Sequence, residues 1–161
     1  MDKGKKIIFQ TADKETVEEY SHIFQRSVFL KGVLDDYPND TKLNLEQITK
    51  PQFLKIIEYL KHYENVDPPK IERPLKSLDF KQCVNEWDYN YINLPQQEVF
   101  EIINIANYLD IEPLLELASA KIASIIKTLD NDEIRTSFDI PIEPMKGEEE
   151  YIMNENGWLF K

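Results

Sequence analysis

Cysteine occurs once in this 161-residue chain, at Cys83. A single thiol excludes an internal disulfide and agrees with a reducing compartment. Glycine occurs only four times, so there is no glycine-rich loop to cradle a phosphate. Histidine is limited to His22 and His62, which fall in different elements, and Cys83 has no second thiol or imidazole at short spacing. A metal site therefore lacks its ligand set. The apolar runs are far too short to span a bilayer. Residues 1–6 lead straight into a short apolar stretch, without the core or cleavage site of a secretory signal, so a soluble intracellular protein is expected. Positive charge is scarce as well: 19 lysines and arginines face 30 aspartates and glutamates, for a net charge of -11. Such a chain repels phosphate backbones and anionic lipid, which argues against nucleic-acid and membrane partners and suits a partner with a basic face.

What the chain has is apolar periodicity, with 42% hydrophobic residues, enough for a sizeable core. Ile7, Ile8 and Phe9 read as a strand, Ala12-Asp13-Lys14 as a turn, and Thr16 to Tyr20 as the returning hairpin partner. From about His22 the period changes, and Phe29, Val33 and Leu34 share one helical face before a turn over residues 35–40. Leu43 and Leu45 alternate with polar neighbours as a short strand does. Pro51 suits a helix first turn, and Phe53, Ile56, Ile57 and Leu60 follow at helical spacing until near Asn65. Residues 66–78, with three prolines and several charges, read as an exposed loop.

Beyond Asn93-Leu94-Pro95 the chain reads as almost entirely helical. Val99, Ile102, Ile103 and Ala106 form one stripe, which Tyr108 and Leu109 close. Pro113 opens the next helix, whose face carries Ala118, Ile122, Ile125 and Leu129. Asp130 and Glu133 have the spacing of a capping box, with Ile134 and Phe138 on one side of the short helix it starts. Pro141 and Pro144 interrupt the chain, and Glu148-Glu149-Glu150 leads towards Trp158 and Phe160.

No catalytic signature surrounds Cys83, and the carboxylates show no pairing, so nothing supports an enzyme. The closing segment is different. Ile134, Phe138, Ile140 and Trp158 are apolar residues in short elements separated by prolines, and short helices rarely hold together alone in water. They either fold back on the preceding helices or await a partner that completes their core; a large aromatic near a terminus is a common interface anchor.

Four segments together resemble the Skp adaptor family, the adaptors of SCF (Skp, cullin, F-box) ubiquitin ligases. They are Ala106-Asn107-Tyr108-Leu109-Asp110-Ile111 with Leu114-Leu115, Asp132-Glu133-Ile134-Arg135, Phe138-Asp139-Ile140, and Asn154-Glu155-Asn156-Gly157-Trp158. Ile7 to Gln10 matches the family's first strand, Asp67-Pro68-Pro69 its proline-rich loop, and Glu86-Trp87-Asp88 the tryptophan-aspartate that follows. The resemblance implies an α/β (α+β) BTB/POZ domain, a small sheet flanked by helices, with a C-terminal helical extension. The expected division is residues 1–128 for the BTB/POZ-like part and 129–161 for the F-box-binding helices. The resemblance further implies a non-catalytic adaptor without cofactor or metal, acting in cytoplasm and nucleus, with F-box proteins and a cullin as partners. A weak homodimer, formed through the apolar tail, is the alternative expected when no F-box partner is bound. By position, Asn107 and Tyr108 correspond to the cullin-facing pair. Leu114, Leu115, Ile134, Phe138, Ile140 and Trp158 correspond to segments that enclose the F-box, with Leu115 expected to be plain core. The competing reading is a BTB-fold interaction or self-association module outside ubiquitin ligation. The chain departs from the family at Ile152-Met153 and Leu159-Phe160-Lys161, which flank the closing motif, and in the basic residues Lys70, Arg73 and Lys76 of the loop.

Overall fold

A computed structural model describes residues 4–140. Strands β1 (Lys6–Thr11) and β2 (Thr16–Tyr20) form the expected hairpin, with Phe9 opposite Val17. The turn places Lys14 at φ 62°, and the Asp13 carboxylate accepts the Thr11 hydroxyl at 2.5 Å. A 3₁₀ segment (Ser21–Arg26) and α1 (Val28–Asp36) then carry the chain across to β3 (Lys42–Leu45), which runs parallel to β1. The sheet order is β2-β1-β3. Alternation along β1 sends Ile7, Phe9 and Thr11 inward, as a sheet covered on one face requires.

Helix α2 (Lys50–His62) opens on a Thr49–Gln52 capping box with Pro51 in its first turn. All four residues of its expected stripe are buried: Phe53, Ile56, Ile57 and Leu60. It ends three residues earlier than the expected Asn65. The rings of Phe9, Phe24 and Phe53 form the centre of the core, with centroid separations of 4.8, 4.9 and 6.0 Å. Each is fully enclosed.

Residues 66–78 carry no helix or strand. After a short 3₁₀ segment (Phe80–Gln82) comes α3 (Glu86–Ile92), a helix that the apolar pattern does not mark. Its signal is the polar one: Asn85 caps it by accepting from the Asp88 amide at 2.7 Å. Helix α4 (Gln96–Tyr108) buries Val99, Ile102, Ile105 and Ala106, so Ile105 replaces the expected Ile103, which is half-exposed. The stripe is rotated by a fraction of a turn from the one read in the sequence. Helix α5 (Glu112–Ile126) buries Leu114, Leu117, Ala118, Ile122 and Ser124, and stops before Leu129. A capped α6 (Asn131–Ser137) follows. The chain divides into two compact units, residues 1–125 and 126–161. Among the described residues no helix is long and apolar enough to cross a membrane.

A second aromatic group surrounds a buried carboxylate. Asp88 is 3% exposed, accepts the Tyr63 hydroxyl at 2.8 Å, and accepts Asn85 Nδ2 at 2.8 Å. Asn85 Nδ2 also reaches the Tyr63 oxygen at 3.0 Å. Burial raises the Asp88 pKa above its ordinary value, while the bonds from Tyr63 and Asn85 pull it back. Burial likewise pushes the Tyr63 phenol up to about 12.

Two outcomes follow. Phe53→Ala, which empties the ring cluster, lowers unfolding stability by about 3–5 kcal/mol, whereas Leu54→Ala on the exposed side of α2 changes it by about 0.5 kcal/mol or less; urea denaturation at unchanged slope measures both. Because the native state holds the Asp88 proton more tightly than the unfolded chain, this group's contribution favours folding increasingly as pH falls through its raised native value, and levels off below 3.8. Tyr63→Phe removes a bond to the charged form, so carboxyl-carbon NMR titration shows Asp88 moving further upward, with a loss of about 1–2 kcal/mol at neutral pH.

Candidate protein-docking surfaces

The first surface is built where α1 begins and α4 ends. Ser27, fully buried, accepts the Leu30 amide at 3.1 Å and donates its hydroxyl to the Leu109 carbonyl at 2.5 Å. The Val28 amide adds a bond to the Asp110 carbonyl at 3.1 Å. The end of α4 is itself closed by a Schellman arrangement. Asp110 stands at φ 52°, Ile111 N–H bonds to the Ala106 carbonyl at 2.8 Å, and Asp110 N–H bonds to the Asn107 carbonyl at 3.2 Å. Ile111 is fully buried and pins the cap from below.

This latch decides what faces solvent. Asn107 is exposed and Tyr108 half-exposed, its ring 5.2 Å from that of Phe29. Phe29 is 38% exposed and Val28 64% exposed. The structure therefore brings the two sequence-assigned residues together with two apolar neighbours that sequence reasoning missed. Phe29, Val33 and Leu34 do share a face of α1, but the residue that α1 buries is Leu30. The Ser27 cap fixes the start of that helix and turns Leu30 inward.

The second unit presents α6. Asp130 Oδ1 accepts the amides of Asp132 and Glu133 at 3.0 and 2.8 Å, and Glu133 Oε2 accepts the Asp130 amide at 2.9 Å, completing the expected box. At the other end Asp139 stands at φ 51°, and Ile140 N–H bonds to the Arg135 carbonyl at 2.9 Å. Leu109-Asp110-Ile111 and Phe138-Asp139-Ile140 thus form the same helix-ending device. Ile111 is enclosed, whereas Ile140 is 47% exposed. Ile134 and Phe138 are half-exposed, and no residue of α6 is buried.

On α5, Leu114 is fully buried and Leu115 half-exposed. The expectation that Leu115 is plain core is thereby corrected: Leu114 occupies the inward position, and one residue along a helix turns the side chain by about 100°. Trp158 lies outside the described residues.

The cysteine and the two histidines are each engaged by neighbouring groups. Cys83 is half-buried, its sulfur 3.6 and 3.7 Å from the Ser77 and Asp79 carbonyls. His22 pairs with Glu64 at 3.1 Å, and His62 stacks on Trp87 at 3.6 Å. No contact joins either imidazole to the thiol among the described residues. The same residues contain no group of three or more His, Cys, Asp or Glu side chains able to hold a metal ion.

Comparison with known proteins gives these surfaces a context. Residues 5–65 match the Skp1 family tetramerisation domain, and residues 112–159 match the Skp1 family dimerisation domain. An S-phase kinase-associated protein 1 homolog of Tetrahymena thermophila is 36% identical over 160 residues, covering 98% of this chain and 96% of that protein. The SKP1-like protein 1A of Arabidopsis thaliana is 31% identical over 158 residues, covering 98% and 99%. The E3 ubiquitin ligase complex SCF subunit sconC of Emericella nidulans is 31% identical over 155 residues, covering 96% of each chain. These matches show that the chain belongs to the Skp1 family, and its small three-stranded sheet flanked by helices is a BTB/POZ-type fold.

Proposed function

We propose that this protein is a non-catalytic adaptor of an SCF-type ubiquitin ligase, linking an F-box substrate receptor to a cullin scaffold in cytoplasm and nucleus. What supports the proposal is the exposed Asn107–Tyr108–Phe29 surface and the partly exposed apolar side chains at α6, in a Skp1-family chain whose relatives include a protein named as an SCF subunit. Asn107 and Tyr108, backed by Phe29 and Val28, are the residues we assign to the cullin. An exposed amide and phenol beside apolar rings is the composition of an interface anchor rather than of an active site. Residues 129–161 we assign to the F-box, with Ile134, Phe138, Ile140 and Trp158 as apolar contacts. On α5, Leu115 is the leucine of its pair with solvent-facing area to offer, while Leu114 supports the fold. The exposed apolar side chains of the second unit also support a second reading, weak self-association when no F-box is present.

Replacing both Asn107 and Tyr108 by alanine weakens cullin binding by about 2 kcal/mol, roughly thirtyfold, and leaves F-box affinity unchanged in calorimetric titrations. A parallel loss of both affinities indicates unfolding instead and removes support for the assignment. Deleting residues 131–161 abolishes F-box capture in pull-downs while circular dichroism of the remainder still shows a cooperative melt. Recovery of F-box proteins by the truncated chain contradicts the role given to the second unit. Light scattering against concentration, with and without an F-box peptide, separates the self-association reading: it requires a dimer that the peptide dissolves.

A further inference from the structure

The end of α2, the loop that follows it and the start of α3 enclose an open cleft of about 750 Å³. His62, Val66, Pro69, Glu86 and Trp87 line it, above Tyr63. Its floor is fixed by the Tyr63–Asn85–Asp88 triangle described above. Its loop wall is fixed by Arg26, whose Nε donates to the Tyr63 carbonyl at 2.7 Å and whose Nη2 donates to the Val66 carbonyl at 2.9 Å and to Asp67 at 3.0 Å. The cleft is therefore pre-formed, although the loop has no secondary structure. Most of its lining falls between residues 65 and 112, the stretch that neither family domain match covers.

The cleft has apolar and aromatic surface, and among the described residues that line it there is no lysine or arginine. Three other aromatic rings of this unit have a lysine over them: Lys55 over Tyr91 at 4.5 Å, Lys121 over Phe80 at 5.3 Å, and Lys81 over Tyr89 at 5.8 Å. Trp87 is sandwiched between His62, at 3.6 Å and parallel within 1°, and Tyr91, at 5.1 Å. Among the described residues no lysine or arginine lies over Trp87 or His62. The one arginine at the cleft, Arg26, is committed to carbonyls and to Asp67. Glu86, in the first turn of α3, is exposed and has no ion-pair partner among the described residues. Val66 leaves 64% of its surface in water beside it. An unneutralised carboxylate, a planar stacked pair and an exposed aliphatic wall together call for a planar cation with an apolar neighbour, which is the chemistry of an arginine next to an aliphatic residue. The chain's net charge of -11 favours the same occupant at long range.

We propose that this cleft is a further docking site, taking a short extended segment of a partner protein in which an arginine stands close to an aliphatic side chain. The guanidinium pairs with Glu86 beside the His62–Trp87 pair, while the aliphatic group packs on Val66 and Pro69.

The test uses the full chain carrying Trp158→Phe, which leaves Trp87 as the sole indole. The probes are capped hexapeptides of glycine with one arginine and one leucine, at every mutual spacing from adjacent to three apart, titrated at physiological salt. At least one spacing gives saturable binding that changes Trp87 emission. Glu86→Gln weakens that binding several-fold and Glu86→Lys weakens it by about tenfold or more, while Glu98→Lys, the same charge change on α4, leaves it within about twofold. The proposal is overturned if no peptide saturates, or if Glu98→Lys weakens binding as much as Glu86→Lys, since both outcomes reduce the attraction to the general field of an acidic protein.

Discussion

The buried hydroxyl of Ser27 joins two parts of the chain that are 82 residues apart, accepting from the start of α1 and donating to the end of α4. A polar group enclosed this completely destabilises the fold unless both its donor and acceptor capacities are used, and here both are. The position of each helix is thereby made conditional on the other. Phe29 reaches Tyr108 because α1 starts at Ser27, and Asn107 points outward because the turn after Leu109 is held from behind. The first candidate surface is thus an outcome of interior hydrogen bonding, with its exposed residues carried on a frame that they do not themselves build.

A similar dependence appears around Asp88. The carboxylate is satisfied by a phenol and an amide rather than by a cation, which suits a protein whose own carboxylates outnumber its basic groups. The bonds that make its burial tolerable also lock α3 to the end of α2 and hold the aromatic bed in place. Acidity is spread over the exterior, whereas the interior is organised by phenylalanine rings and a few saturated polar contacts. Surface ion pairs such as Lys50–Glu15 and Lys55–Glu58 add little to this in water.

Much of the architecture was legible because local signals and burial agree along β1 and α2, and because a capping box marks the start of α6. Phe53, Ile56, Ile57 and Leu60 can share a face only in a helix, and the Asp130–Glu133 spacing states where α6 begins. What was not legible was decided by contacts remote in sequence. A neighbouring isoleucine two positions away distinguishes the true stripe of α4 from the one read, and adjacent leucines on α5 exchange roles, because hydropathy cannot resolve a rotation of a fraction of a turn when both candidates are apolar. Phe29 is apolar yet partly in water, and only its meeting with Tyr108 explains it. Helix α3 is signalled by a capping asparagine rather than by apolar period. For the docking residues, periodicity supplied the apolar faces, while the assignment to partners came from resemblance; Trp158 lies outside the described residues.

The twin aspartate-isoleucine endings differ in what they do after the helix is closed. At α4 the isoleucine disappears into the core, and the cap serves folding. At α6 the same backbone geometry leaves Ile140 half in water, with the seven-residue helix fastened at both ends. Such an element has surrendered its backbone entropy before any encounter, so that association has less ordering left to perform. In the adaptor role proposed above, the time spent bound is then governed by how well the apolar side chains are covered, and receptors of differing fit can exchange on one unchanging platform.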